Sequence, residues 1–495
     1  MAEGVSLAPV FARVCAAGQR LLAKLPPTRG ERREHLIVAV LIVLIWAVAL
    51  LPHLSMRSFI YEEARNAELA RDMLRHGNLL EPSIYGIRWV EKPSLLAWLI
   101  VAASHLTGGV NEWSARLPTM LSVLLTALLI QRLTRRYATL PISLFATASY
   151  VFCPLLLQKL TIAEPDTLVT ALSFAAFVIW WQGEETGRVA GWRWAASGLL
   201  LAVLAMAKGP EPVGFFAIGV TSYLVFRRRW AALPGLIFCL ALPAGATIAW
   251  GAAVYQPGDA SNWMRYMRLN GGIDMARYWD ERRRYVAILP LELLPSTILL
   301  PFLAVPRWRR ELALRNIPVV APLLCYAGFC ALALLIWPGV GTRYAMPIAP
   351  AVAVLAALVT QGLWRRRHLV ARIAIGMATG LFAYQIVLVI VAVPLFADRF
   401  AESRLSGEAI SRAIAAEPAP VYCDDCEATR LFYVDAPIQS LEGRGLAGLA
   451  APAWLLTARD RLDSIATRRP DLISGTVVEN TAKAKVTAVR LAPKP

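Results

Sequence analysis

Long apolar runs separated by short arginine-rich stretches dominate the chain. The runs lie at 36–54, 115–133, 138–157, 167–182, 193–208, 211–226, 232–254, 286–305, 317–337, 344–362 and 373–396. Each has the roughly 16–25 residues that carry an α-helix across a hydrocarbon core of about 30 Å. They are continuous rather than alternating, which argues against a β-barrel. The expected fold is an all-α polytopic membrane domain of about eleven transmembrane helices, spanning 36–396. One apolar stretch, "SLLAWLIVAASHL" at 94–106, is short for a span and suits an interfacial position. Residues 65–77, "RNAELARDMLRHG", place Ala67, Leu69, Ala70, Met73 and Leu74 for an amphipathic helix lying on the bilayer. Arg71, Asp72 and Arg75 are then its wet face.

Charge sets the orientation. "RLTRR", "FRRRW", "PRWRRELALR" and "RRRHLVAR" are short basic loops, and basic short loops stay in the cytoplasm. All four fall inside only if 94–106 remains on the outer surface. The N-terminal tail 1–35 is then cytoplasmic, and long outer loops cover 55–114 and 255–285. The first run has no small-residue cleavage site and is expected to be a retained signal anchor. The chain of 495 residues is 57% hydrophobic and carries a formal charge of +17. In a soluble protein that charge would suggest nucleic acid; here it follows from the loops, and no basic face with a binding motif appears.

After Phe396 the pattern changes to short β-rich runs alternating with helical ones. This predicts a small α/β extracytoplasmic domain over 397–495. It has no glycine-rich phosphate loop. Of seven cysteines, Cys15, Cys153, Cys239, Cys325 and Cys330 lie in or near apolar runs and are expected to pack. Cys423 and Cys426 form a lone CxxC, read as a structural disulfide or as having no role.

Under this threading the out-of-place charges share one side: Glu62, Glu63, Arg65, Glu91, Lys92, Lys159, Glu164, Asp166, Lys208, Glu211, Arg282 and Arg343. Ionisable groups beside a membrane are costly and mark functional sites. Asp166 and Lys208 each abut a long apolar run, where solvation gives little reason for a charge. Carboxylates can act as general base and Lys or Arg can hold a phosphate, so the mix suits transfer from a phosphate leaving group to a nucleophile. Outside the cytoplasm, such a phosphate arrives most simply attached to a lipid.

The motifs "EEARNAELARDML", "RWVEKPS", "AEPDTLVT", "AKGP" and "TRYAMPIAP" occur in order and resemble the GT-C glycosyltransferases. The resemblance covers 36–365 and is nearest to the protein O-mannosyltransferases and the lipid A aminoarabinose transferases. It implies inverting transfer of a sugar from a polyprenyl-phosphate carrier on the outer face of a bacterial inner membrane. The acceptor is an envelope glycolipid such as lipid A or, alternatively, a protein. Glu62 and Glu63 stand where the family has an Asp-Glu pair. The resemblance gives Glu62 and Asp166 catalytic roles. It gives Lys92, Arg343 and Tyr344, helped by Arg282 and Lys208, the donor phosphate, with Glu63, Arg65 and Glu91 in support. No cofactor is expected. The metal site associated with the lipid A branch finds no histidine in 255–285, and Glu91 lacks a cluster of partners.

A lipid-linked-sugar flippase also needs charges in a membrane, but predicts midplane sites and internal repeats, and no repeat is visible. A scaffold protein gives no reason for Lys92, Asp166 and Arg343 to share a side.

Overall fold

Each of the eleven apolar runs contains a helix in the computed structural model. It describes residues 31–493 except 61, 258, 260–274, 367, 425, 443–444, 447–448, 450, 459–460, 462–466, 468, 470–471 and 480–485. The tail 1–30, with Cys15, and the middle of the 255–285 loop therefore lie outside the described residues.

The helices are α1 (Glu31–Leu50), α2 (Glu63–His76), α3 (Leu95–Thr107), α4 (Glu112–Arg135), α5 (Leu140–Val151), α6 (Asp166–Glu184), α7 (Gly191–Lys208) and α8 (Val213–Phe226). They continue with α9 (Leu233–Val254), α10 (Met275–Glu292), α11 (Val320–Ile336), α12 (Ala349–Arg365) and α13 (Leu369–Val387). Among the described residues, Glu112–Arg135, Trp230–Val254, Thr342–Arg365 and Leu369–Leu395 are long and apolar enough to cross a membrane. Met275–Glu292 with Ser296–Ala304 makes a fifth candidate, bent by 93°. Pro290 and Pro295 near the bend remove backbone donors from the helical ladder. The runs at 36–54, 138–157, 211–226 and 317–337 form apolar helices shorter than the run itself. After α5, for instance, the chain turns at Cys153 and restarts at Pro154.

α6 is buried on nearly every face, with Phe174, Phe177, Trp180 and Trp181 inside. α4 and α7 pack on it, which fits a helix whose apolar side chains surround it. α4 begins with a capping box: Asn111 accepts from the N–H groups of Trp113 and Ser114, and the Ser114 hydroxyl accepts from Asn111 N–H at 2.9 Å.

α2 does not lie as a free surface helix. It packs on α3 and on the hairpin β1 (Ser83–Ile84)–β2 (Ile87–Arg88). Asp72 is buried and accepts from Ser83 N–H and Ser83 Oγ, both at 2.7 Å. Arg71 donates to the Phe432 carbonyl at 2.8 Å and lies 3.6 Å over the Phe432 ring. The expected wet face is therefore corrected for Arg71 and Asp72; Arg75 stays exposed. The helical period gives the amphipathicity, but the element covering the polar side comes from the far end of the chain. α3, 13 residues long, packs on α4 and α2 and is too short to span.

That covering element follows α14 (Glu402–Ala416). It contains α15 (Ala428–Leu431) and a sheet ordered β4-β3-β5-β7-β6. The strands are β3 (Val421–Cys423), β4 (Ile438–Ser440), β5 (Ala453–Ala458), β6 (Leu472–Glu479) and β7 (Val486–Pro493). β3 runs parallel to β4 and β5, while β7 is antiparallel to β5 and β6. Every residue of β5, the central strand, is buried. Cys423 and Cys426 form a disulfide, and Cys153, Cys239, Cys325 and Cys330 are buried thiols.

The sheet is docked by Phe59, whose ring lies 4.8 Å from that of Phe432, and by Tyr433. The Tyr433 hydroxyl donates to Glu112 at 2.7 Å and accepts from Phe59 N–H at 2.8 Å. Tyr433→Phe removes both bonds and strands the Phe59 amide. The expected cost is about 1–3 kcal/mol, visible as faster hydrogen exchange across β3 and α15 in detergent. Unchanged exchange there would remove Tyr433 as an anchor.

Candidate active site

Chain direction explains the first charged pair. α6 and α7 are packed neighbours joined by a short turn, so the start of α6 and the end of α7 lie at the same end. Asp166 opens α6 and Lys208 closes α7, the termini where an anion and a cation respectively are favoured by the helix dipole. Their side chains are ion-paired and largely buried. The Lys208 ammonium lies 4.9 Å over the Tyr344 ring, and the Arg343 guanidinium 5.2 Å over the same ring. Arg343 and Tyr344 sit on the 3₁₀ turn Thr342–Ile348 that leads into α12.

Glu62 immediately precedes α2. Its Oε2 lies 3.7 Å from Lys92 Nζ, and its Oε1 lies 4.0 Å from Arg343 Nη2. Burial alone would raise the pKa of Glu62, but Lys92, then Arg65 and Arg343, outweigh it and hold the carboxyl below its ordinary value. Glu62 is thus ionised at neutral pH and occupies the place between two cations where an anion is favoured. Arg65, one turn into α2, stacks 4.8 Å over Trp89.

These residues surround a cavity of about 560 Å³ lined by Glu62, Arg65, Lys92, Asp166, Lys208, Glu211, Arg343 and Tyr344. Its remaining wall is apolar: Val169 of α6, Phe215 and Ile218 of α8, Leu334 of α11, and Trp337. A second cavity of about 1130 Å³ shares Glu62, Arg65 and Arg343 with the first. Its walls are Trp89, Lys159 and Glu164 on one side and Asp424, Glu427, Glu442 and Arg461 from the C-terminal segment on the other. Glu62 therefore stands at the junction of the two spaces.

Three expected site residues do not line either cavity. Glu63 is fully buried, accepts from Arg57 Nη1 at 3.0 Å and Arg116 Nε at 2.9 Å, and also takes the N–H groups of Ile60 and Ala163. It supports the site by tying α2 to α4 and to the turn before α6. Glu91 is half-buried; burial raises its pKa, with Arg65 and then Lys92 opposing. Arg282 is placed away from the donor-phosphate position expected for it. Its guanidinium lies over the Tyr278 ring and donates to the carbonyls of Ile336 at 3.0 Å and Trp337 at 2.8 Å. It thereby satisfies the orphan carbonyls at the end of α11.

Sequence reasoning missed Arg116, fully buried at the centre of the Glu63 node. Its signal was an arginine inside the apolar run of α4, a costly position that needs a partner.

Comparison with known proteins gives similarity in both sequence and fold. Residues 91–250 match the family described as dolichyl-phosphate-mannose-protein mannosyltransferase. An undecaprenyl phosphate-alpha-4-amino-4-deoxy-L-arabinose arabinosyl transferase of Edwardsiella ictaluri is 30% identical over 288 residues, 55% of this chain and 50% of that protein. The corresponding transferase 2 of Proteus mirabilis is 26% identical over 66% of this chain and 60% of its own length. The chain thus spans about half the length of the curated relatives it matches. The crystal structure of ArnT from Cupriavidus metallidurans bound to undecaprenyl phosphate superposes with a TM-score of 0.68 at 15% identity, covering 92% of this chain and 97% of that one. The chain is thus similar in sequence to these transferases over about half of its length and shares the fold of the ArnT structure.

The resemblance to the lipid A aminoarabinose transferases raises the question of a metal. Among the described residues no group of three or more His, Cys, Asp or Glu is arranged to hold one. Glu62 and Asp166 are already matched by Lys92, Arg343 and Lys208. The described residues of this cavity do not fit a metal site.

Proposed function

We propose that the protein is a membrane glycosyltransferase that moves a sugar from a polyprenyl-phosphate carrier to an envelope glycolipid, with lipid A as the lead acceptor. The observation that carries this is one cavity in which Lys92 and Arg343 flank the Glu62 carboxylate, a place where an anion is favoured, beside the Asp166–Lys208 pair. The carrier's phosphate sits against Lys92 and Arg343, and its isoprenoid follows the apolar wall between α6, α8 and α11. The acceptor enters the larger cavity beneath the C-terminal sheet and meets the donor at Glu62.

The reaction is one inverting displacement. An acceptor oxygen attacks the anomeric carbon as the bond to the carrier oxygen breaks, and the carrier leaves as a phosphate. Lys92 and Arg343 offset the charge developing on it, and Lys208, already committed to Asp166, keeps that carboxylate fixed. For a hydroxyl acceptor, Glu62 takes the proton. For a phosphate acceptor, which already carries charge, Glu62 orients it and no base is needed. The basic short loops orient the chain in a bacterial inner membrane as a multi-pass protein, with the site and residues 397–495 in the periplasm.

Lys92→Ala tests the reading. With radiolabelled undecaprenyl-phosphate aminoarabinose and lipid A, the purified wild type is expected to form labelled lipid A. The variant is expected to lose at least about 100-fold in kcat/KM, the scale of deleting one transition-state charge partner. Transbilayer movement of intact donor without label transfer would replace the enzyme by a flippase. Near-normal turnover of the variant would remove Lys92 from the donor site.

A further inference from the structure

The disulfide between Cys423 and Cys426 takes no part in the mechanism above. It spans a sequence separation of 3, and a bridge closing so short a loop restrains the unfolded chain least. What it holds is therefore local. Cys423 ends β3 and is fully buried, with Ser440 of β4 and Leu456 of β5 as its register partners. Cys426 lies beyond the strand and lines the cavity of about 1130 Å³ together with Asp424, Glu427, Ala428 and Thr429.

These residues form a strap pinned at both ends. Downstream, Phe432 and Tyr433 anchor it on Phe59 and Glu112. Upstream, the disulfide ties Cys426 back to the sheet, where its Sγ also lies 3.2 Å from Ser440 Oγ. Asp424, Cys426 and Glu427 belong to neither helix nor strand, so no regular backbone ladder fixes their place. Each side of the cavity presents a buried carboxylate oxygen that has no hydrogen-bond partner: Asp424 Oδ1 on the strap and Glu164 Oε1 on the opposite wall. Glu164 is only 3% exposed, and its other oxygen is paired with Lys159. A buried carboxylate oxygen without a donor is costly, and the hydroxyl groups of a sugar headgroup are suitable donors.

We propose that the Cys423–Cys426 disulfide is a positioning element for the acceptor. By fixing the strap it sets the spacing between Asp424 and Glu164, which grip a hydroxyl-bearing headgroup between them. This rests on the acceptor reading above and goes beyond it by naming the groups that hold the acceptor and the bond that aligns them. Reduction breaks the S–S bond: dithiothreitol loses two electrons and two protons, closes to its cyclic disulfide, and leaves Cys423 and Cys426 as thiols. The strap then loses its tie to the sheet and the acceptor is held less tightly. Donor binding is spared, because none of the described strap residues lines the cavity of about 560 Å³.

The test uses the full chain, oxidised or treated with dithiothreitol, and a Cys423→Ser, Cys426→Ser double variant. Among the described residues Cys153, Cys239, Cys325 and Cys330 are already thiols, so two additional maleimide-reactive groups report the opened bridge. Undecaprenyl-phosphate aminoarabinose is the donor and lipid A the acceptor. Reduction and the double variant are each expected to raise the lipid A KM about fivefold or more, with kcat and the donor KM within about twofold of the oxidised protein. Asp424→Ala should raise the same KM, and reduction should add little to it, because both act on one grip. Where the double variant fails to fold, the reduced wild type decides. An unchanged lipid A KM after the bridge has opened, or equal losses in kcat and donor KM, overturns the inference and leaves the transferase reading standing. Oxidised wild type that transfers no sugar sinks that reading and this inference with it.

Discussion

Asp166→Asn is expected to lower the proposed sugar transfer by at least about 100-fold and to leave the protein folded in detergent. The carboxylate is buried at the start of α6 and ion-paired to Lys208. Removing its charge leaves the Lys208 ammonium unopposed beside the Tyr344 ring and Arg343. The cation is then free to move toward the carrier phosphate or toward Glu62, and the spacing on which displacement depends is lost. Losses of about 10²–10⁴ are usual when a positioned charge is removed from the reacting centre. The pair acts as a unit, so Asp166→Asn combined with Lys208→Met should be little worse than Asp166→Asn alone. Initial rates in proteoliposomes decide it. Turnover of the single variant within about threefold of wild type, or strictly multiplicative losses in the double variant, would separate Asp166 from the chemistry.

The second large effect is on stability. Arg116→Met is expected to cost about 3–5 kcal/mol, although Arg116 lines neither cavity. Its guanidinium is fully buried, pairs with Glu63, and donates to the carbonyls of Leu54, Arg57 and Ser58 at 2.5, 3.0 and 3.2 Å. Loss of the cation strands the Glu63 carboxylate at 0% exposure, with Arg57 its remaining cationic partner. The node joins the end of α1, the start of α2, α4 and the turn before α6. It therefore sets where Glu62 and Asp166 stand, and transfer should fall along with the melting temperature. A Glu63→Leu, Arg116→Met double variant should be less damaged than the sum of the two singles, because the pair is lost only once, with Arg57 then left without its carboxylate. Thermal melting of the three purified variants checks this. Singles melting within about 2 °C of wild type would show that the node carries little.

The contrast between Glu62 and Glu63 shows where sequence reasoning stops. Two adjacent glutamates have the same chemistry, and nothing in their order tells which one faces the cavity. The α2 N-terminus decides, by turning Glu63 inward onto Arg116 and leaving Glu62 between Lys92 and Arg343. Arg282 makes the same point from the other side. A cation in an outer loop reads as a phosphate ligand, yet here it closes the end of α11, because buried carbonyls at a helix terminus need donors.

By itself the sequence determined the helical membrane character, the approximate position of every long apolar run and the ordered motifs that carry Glu62, Lys92, Asp166, Lys208, Arg343 and Tyr344. Hydropathy and helical period are local properties, and the cost of a charge beside an apolar run is legible without knowing its partner. The tertiary structure alone decided the partners, the broken helix after α10, the burial of α2 beneath the C-terminal sheet and the two cavities that meet at Glu62. Each of these depends on contacts between segments tens to hundreds of residues apart, and such contacts leave no period in the chain.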